Sequence, residues 1–415
     1  MKSNRLFILY LVTVLLAGCG GGGGGGSSSS SASSGGSYVS SEGSNVNVGL
    51  SIDTNAPNVL AVTVNDPSYP NKPTVTVTVC APGTSNCKTI DNVLLDTGSY
   101  GLRIFNQALS GISLPQVTVN SAPVAECVAY VDNSGDWGPV KSADLVLGKE
   151  KAPSVPIQII DAGYSSSAIP SQCKSPNVTA LDQDPTSAGF NGILGVGVFA
   201  QDCGQGCESN ANNGLYFSCS GADCSKLAVP LASQVQNPVA LLLQDNNGLI
   251  LQFPSVPSGG VQSVTGRLTL GIGTRSNNTP PNAKVFPTDA NGEFTTKFNG
   301  QTFTSFIDTG SNGLFFDDSS LQVCSYPYQD WYCAQLQTLG ATNVGDGGSP
   351  TGSVSFWIGN AANLFQNPYN TAFAELGGTS VGGFDWGLPF FFGRTVVVGM
   401  EGTSSPLGQG PYWAY

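Results

Sequence analysis

The tetrapeptide Asp-Thr-Gly-Ser occurs twice in this chain, at Asp96–Ser99 and at Asp308–Ser311, each time inside the same order of local elements. TVTVTVCAPGTSNCKTIDNVLLDTGSYGLRIF (Thr74–Phe105) reads as strand, turn, strand and then the tetrapeptide. GEFTTKFNGQTFTSFIDTGSNGLFF (Gly292–Phe316) repeats that order around an Asn-Gly turn. Each copy continues with a glycine, a leucine and an aromatic or branched residue. Each is also followed, at a comparable distance, by an apolar segment carrying glycine: GFNGILGVGVF (Gly189–Phe199) and GFDWGLPFFFGRTVVV (Gly383–Val398). Two copies of one order of elements imply two similar halves, residues 46–257 and 258–415, meeting near Pro257–Val264.

The remaining texture is that of short strands. PTVTVTV (Pro73–Val79) alternates with period two, and GLILQF (Gly248–Phe253), GRLTLGIG (Gly266–Gly273) and GSVSFWIG (Gly352–Gly359) have the same strand character. Helical periodicity is scarce, and LAVPLASQV (Leu227–Val235) is the better short helix candidate. The expected fold class is all-β with a few short helices.

From about residue 60 to residue 400, the paired DTGS motifs and their distant apolar-apolar-glycine elements resemble the bilobal pepsin-like aspartic peptidase fold. The resemblance implies two β-rich lobes with a cleft between them, catalytic Asp96 and Asp308, and a peptide or protein substrate, with no cofactor or metal. It also implies that Thr97 and Thr309 bond across the lobe interface. A hairpin over Cys127–Gly148 would act as the flap, with Tyr130 at the flap tyrosine position and Asp144-Leu145-Val146 as its returning strand. Trp137 is a candidate cleft residue near the hairpin tip, or equally a member of a local cluster. Ile193-Leu194-Gly195 and Trp386-Gly387 would pack behind the two motifs; Asp385 departs from the usual two aliphatic residues and, if buried, needs a partner. More narrowly, GLPFFFGR (Gly387–Arg394) and the N-terminal features below resemble a family of bacterial lipoproteins with pepsin-like repeats.

The residue chemistry is consistent with that expectation. Two carboxylates held within a few ångströms cannot both ionise cheaply, so they share a proton and their macroscopic pKa values separate. One can then take a proton from a water held between them while the other stabilises the oxyanion and protonates the leaving nitrogen. Gly98 and Gly310 leave room for close approach and point amides at the carboxylates, while Ser99 and Ser311 can bond the outer oxygens. Leu102, Ile104, Leu314 and Phe315 are candidate linings for a cleft taking extended peptides with hydrophobic side chains, or else core. A single DTGS could be only a tight turn, and a pepsin-like chain that has lost catalysis would be a peptide-binding or envelope scaffold protein.

Composition removes competing chemistries. The chain contains no histidine, which excludes Ser-His-Asp and Cys-His nucleophiles, HExxH zinc sites and any histidine base. A net charge of -12 makes a poor partner for nucleic acid, and the chain is expected to be a monomer. At the N-terminus, Lys2 and Arg5 precede an apolar run from Leu6 to Leu16 and then LAGC, a lipobox-like end that makes residues 1–18 a signal peptide and Cys19 the lipidated residue. The Gly/Ser-rich stretch within residues 19–45 reads as a tether, and the protein is expected in the bacterial cell envelope, at the outer membrane. Ten cysteines remain, an even set that reads as up to five disulfides in an exported chain. Local candidates are Cys80 with Cys87, Cys324 with Cys333, and a compact knot among Cys203, Cys207, Cys219 and Cys224.

Overall fold

The computed structural model describes residues 46–174, 178–221, 223–380 and 382–415. The expected signal peptide, the lipidated Cys19 and the tether lie outside the described residues. The chain is predominantly β, and among the described residues no helix exceeds five residues. The expected helix over Leu227–Val235 reduces to one 3-10 turn, Leu231–Ser233, entered through Pro230. A proline there drives Val229 away from helical backbone angles, so the turn starts from extended chain and has no length in which to build a second turn.

Both repeats fold into the same unit. In the first, Cys87–Asp96 pairs antiparallel with Thr74–Cys80 and parallel with Gly192–Val196, which also lies antiparallel to Tyr100–Phe105. The distant apolar segment is therefore threaded between the strand that enters the DTGS turn and the strand that leaves it. In the second, Gln301–Ile307 pairs antiparallel with Phe294–Phe298 and parallel with Phe384–Trp386, which lies antiparallel to Leu314–Phe315. The inserted strands are buried throughout, as expected of a strand covered on both faces; this accounts for the apolar sequence of Gly192–Val196, whereas Phe384–Trp386 carries Asp385 at its centre.

One sheet runs across residue 257. Ser263–Leu270, just beyond it, pairs antiparallel with Val59–Val64 and with Gly248–Gln252. Gly248–Gln252 pairs in turn with Thr395–Gly399, and that strand with the C-terminal Tyr412–Ala414. Strands from both ends of the chain thus satisfy one another's backbone groups in a shared sheet, which removes edges that either half would otherwise expose. The main core is equally continuous, running from Val62 and Leu95 through Leu194 and Leu251 to Ile307, Trp386 and Val396.

Among the described residues five disulfides form: Cys80–Cys87, Cys127–Cys173, Cys203–Cys207, Cys219–Cys224 and Cys324–Cys333. The four cysteines expected as a knot close two separate local loops instead. Cys219–Cys224 closes the tight hairpin of Tyr216–Ser220 with Asp223–Lys226, so its sulfurs face each other rather than Cys203 or Cys207.

Candidate active site

The strand pairing sets where the two DTGS turns emerge. Gly195 lies opposite Asp96, and a Cβ there would sit 2.6 Å from the Tyr100 backbone nitrogen. Gly387 has the same role in the second half, where a Cβ would come within 2.0 Å of the Gly313 carbonyl oxygen. Both glycines are required because the inserted strand touches the backbone of the turn directly. Gly197 N donates to Ser99 O at 3.0 Å, and Leu388 N donates to Ser311 O at 2.8 Å, so each turn is pinned from behind in the same way.

The turns are then tied to one another. Thr97 Oγ1 donates to Ile307 O at 2.9 Å and accepts from Thr309 N at 3.0 Å. Reciprocally, Thr309 Oγ1 donates to Leu95 O at 2.7 Å and accepts from Thr97 N at 3.1 Å. Four buried hydrogen bonds thus brace one turn against the other, and none can be lost without orphaning a backbone group. Thr97→Val, which keeps the shape and removes the hydroxyl, should lower stability by about 2–4 kcal/mol in chemical denaturation, since Ile307 O and Thr309 N both lose their partner.

Bracing brings the carboxylates together. Gly98 N donates to Asp96 Oδ1 at 2.8 Å and to Asp308 Oδ1 at 3.1 Å, so one amide serves both inner oxygens. Gly310 N donates to Asp308 Oδ1 at 2.7 Å. Ser99 Oγ donates to Asp96 Oδ2, and Ser311 Oγ to Asp308 Oδ2 at 2.7 Å. A Cβ on Gly98 would lie 2.6 Å from Asp308 Cγ, and one on Gly310 2.8 Å from Asp96 Oδ1, so neither glycine tolerates a side chain. Asp96 is 2 % exposed and Asp308 fully buried. Burial, then the neighbouring Asp96 and Asp385, push the Asp308 carboxyl well above the usual range. The pair therefore holds a proton to higher pH than a solvated carboxyl does, and acid and base belong to the pair rather than to either residue.

The other expected site residues are placed differently. Tyr130 lies at the hairpin formed by Ala122–Ala129 and Ser134–Leu147, but it is 3 % exposed and its hydroxyl donates to Asp136 Oδ2 at 2.7 Å. It packs with Leu94, Phe105 and Ile193, beside the strands that flank Asp96. Trp137 sits in the strand opposite Cys127, below the hairpin tip, fully buried, with its indole nitrogen donating to Tyr164 O. It belongs to a local cluster with Cys127, Cys173 and Phe217. Leu102, Ile104, Leu314 and Phe315 are likewise core, because their strands are covered on both faces.

Sequence reading missed a buried ionic network beside the first turn. Arg103, fully buried on the strand leaving DTGS, contacts Glu126 Oε1 at 2.8 Å and Asp202 Oδ2 at 3.1 Å, and Tyr216 OH donates to Asp202 Oδ1 at 2.6 Å. This links the DTGS strand to the hairpin and to the cysteine-rich segment that begins at Gln201 and ends at Cys224. An arginine inside the apolar run GLRIF was the available signal. Near the same network, burial and Asp182 push Asp136 up to about 8. A cavity of about 390 Å³ opens against Thr97 and Gly98, walled by Tyr100, Phe199, Phe306 and Trp413 with Glu293 at its edge.

The site so defined is a pair of buried aspartates on two cross-braced turns of a duplicated all-β unit. Residues 54–415 match the family described as a protein of unknown function, DUF3443, and the chain belongs to that family. A comparison with curated proteins finds no match.

Proposed function

We propose that the chain is a bilobal, pepsin-like aspartic endopeptidase that hydrolyses peptide bonds with a water activated between Asp96 and Asp308. The observation that carries this reading is the single Gly98 amide donating to the inner oxygens of both carboxyls. Carboxyls held that closely share a proton, and the shared-proton pair is the state able to act as base and acid in one step. The ionised member takes a proton from the water as the water attacks the peptide carbonyl. The protonated member donates to the developing oxyanion, and the proton then passes to the leaving nitrogen. Ser99 and Ser311 hold the outer oxygens, so reorganisation during the step is small.

The cavity beside Gly98 gives an adjoining peptide side chain an aromatic wall, which supports a preference for extended chains with large apolar side chains near the scissile bond. In this reading, Cys19 carries a lipid anchor and the Gly/Ser tether holds the enzyme at the bacterial outer membrane. Calorimetric titration with a statine-containing peptide at about pH 4–5, where a carboxyl pair shares one proton, tests the site directly. One molecule should bind per chain, and Asp96→Asn should weaken binding at least about 100-fold, the low end of transition-state analogue discrimination. Absence of binding, or equal binding by the variant, would contradict the proposal.

A further inference from the structure

We propose that Tyr326, Tyr369 and the surface around Val46 form a docking face for the zwitterionic headgroup layer of a lipid bilayer, holding the chain in one orientation on the membrane. The proposal rests on the reading of Cys19 as a lipid anchor for the nearness of the membrane, while the face itself is built from described residues. Tyr326 is 88 % exposed and Tyr369 68 % exposed. Both sit on ordered backbone. Val323 pairs with Tyr332, and the Cys324–Cys333 disulfide closes the loop that carries Tyr326. Within that loop Tyr328 packs 5.3 Å from Phe365, which seats the loop against the segment leading to Tyr369. Asn367 Oδ1 accepts from Tyr369 N at 3.0 Å and closes the turn on which that tyrosine stands. Large rings held in water by a rigid frame mark a surface that another phase or molecule covers.

The Gly/Ser-rich sequence joins the fold beside this face. Gln262 N donates to Val46 O at 3.1 Å, Val261 pairs with Ala372, and Thr371 N donates to Val261 O at 2.8 Å. Asn370 Nδ2 donates to Gly259 O at 2.7 Å, so the turn bearing Tyr369 is tied to the segment that receives Val46. A Gly/Ser-rich sequence as long as residues 20–45 has an average reach of about 30 Å. An anchor at Cys19 therefore presents this side of the chain to the headgroups at high effective concentration. The charge distribution suits that encounter. Val46–Leu50, Ser258–Gln262, Gln322–Cys333 and Phe365–Thr371 together hold one charged residue, Asp330, although the whole chain carries a net charge of -12. Covering these segments desolvates little charge, and the acidic remainder of the surface stays in water. Tyrosine fits the boundary itself, with an apolar ring and a hydroxyl that keeps its contact with water and headgroups.

The full chain on vesicles of phosphatidylcholine and phosphatidylethanolamine, compared with a variant carrying both Tyr326→Ser and Tyr369→Ser, tests this. Both side chains are exposed, so the variant should keep the parental melting temperature. Hydrogen exchange read by mass spectrometry should be slower by about threefold or more in the parent than in the variant at residues 325–330 and 366–370. The exposed turn at residues 82–86 should exchange alike in both. Equal exchange at the two tyrosine loops overturns the proposal. Slowing of the same loops in detergent solution as protein concentration rises assigns the face to a second copy of the chain and overturns it as well. The intact mass of the parent reports the anchor separately, and absence of lipid at Cys19 counts against the anchoring reading alone. Flotation with the same vesicles then decides the role of the face: the parent should float and the double variant should lose most of that binding. A parent that does not float, or a variant that floats equally, overturns the proposal.

Discussion

Asp96→Asn and Asp308→Asn, each made alone, should lower peptide hydrolysis by about 10²- to 10⁴-fold, the contribution of a positioned acid or base. Asparagine matches the shape of aspartate and can still accept from Gly98 N and Gly310 N, so both turns should keep their geometry. What disappears is the ability of the pair to exchange a proton with water and then with the leaving nitrogen. The two losses should not add in the double variant, because one remaining carboxyl already lacks its partner. Folding should not suffer. Asp308 is fully buried and pushed up by burial, Asp96 and Asp385, so a neutral amide relieves repulsion rather than creating it. Mass-spectrometric detection of new peptide termini, with melting curves of the same samples, separates lost chemistry from lost fold. Either single variant retaining more than about a tenth of parental turnover, far above the loss expected for an acid–base group, would remove the pair from the mechanism.

Acidic solution should stabilise the chain, and by a large margin. Asp136, Asp202, Asp308 and Asp385 are all buried, and burial is in each case the first cause that raises their proton affinity, Asp136 to about 8. A carboxyl raised in the folded state holds a proton that the unfolded chain has released. Its stabilising contribution is complete below the ordinary carboxyl value of 3.8 and is lost as pH rises through the folded value, which for Asp136 sets a window from 3.8 to about 8. Each retained proton is worth about 1.4 kcal/mol per pH unit, and coupling among neighbours keeps the total below four such contributions. Asp66 works outside this window. Its partial burial is outweighed by bonds from Lys72 and Ser68, its affinity is lowered, and its contribution is lost only as pH falls. Melting temperature should therefore peak near about pH 4 and fall by several degrees per pH unit toward pH 8, consistent with about 2–4 °C per kcal/mol. A flat or rising melting temperature over that range would contradict the burial argument.

The elements legible in the sequence were those whose cause is local. Alternation in PTVTVTV, the Asn-Gly turn before the second motif and the glycines at 195 and 387 each report a backbone requirement that the residue itself must meet, and the structure uses them accordingly. The cross-bonding of Thr97 with Thr309 was expected through the resemblance and is present in full. Features that depend on distant partners were harder to read. Tyr130 was matched by position along the hairpin, but its hydroxyl is taken by Asp136 and its ring by Leu94 and Ile193. Trp137 faces Phe217, which lies in the cysteine-rich segment that folds back over the hairpin. Arg103 stood out only as a charge in an apolar run; Glu126 and Asp202, which explain it, come from two other segments. The sheet that runs across residue 257 was not legible, because strand pairing between distant segments leaves no trace in local composition. Asp385 is the intermediate case. Its departure from the repeat was visible at once, while its burial on the strand beside the one that delivers Asp308 required the fold.

The central claim is that Asp96 and Asp308 together cleave peptide bonds. The most direct measurement is turnover of a denatured polypeptide by the purified full chain across the acidic to neutral range, with new termini identified by mass spectrometry. Internal cleavage should be greatest at acidic pH, decline toward neutrality and stop with a statine-containing peptide. A folded chain that generates no new termini at any pH, or whose cleavage persists in Asp96→Asn and Asp308→Asn, would contradict that claim.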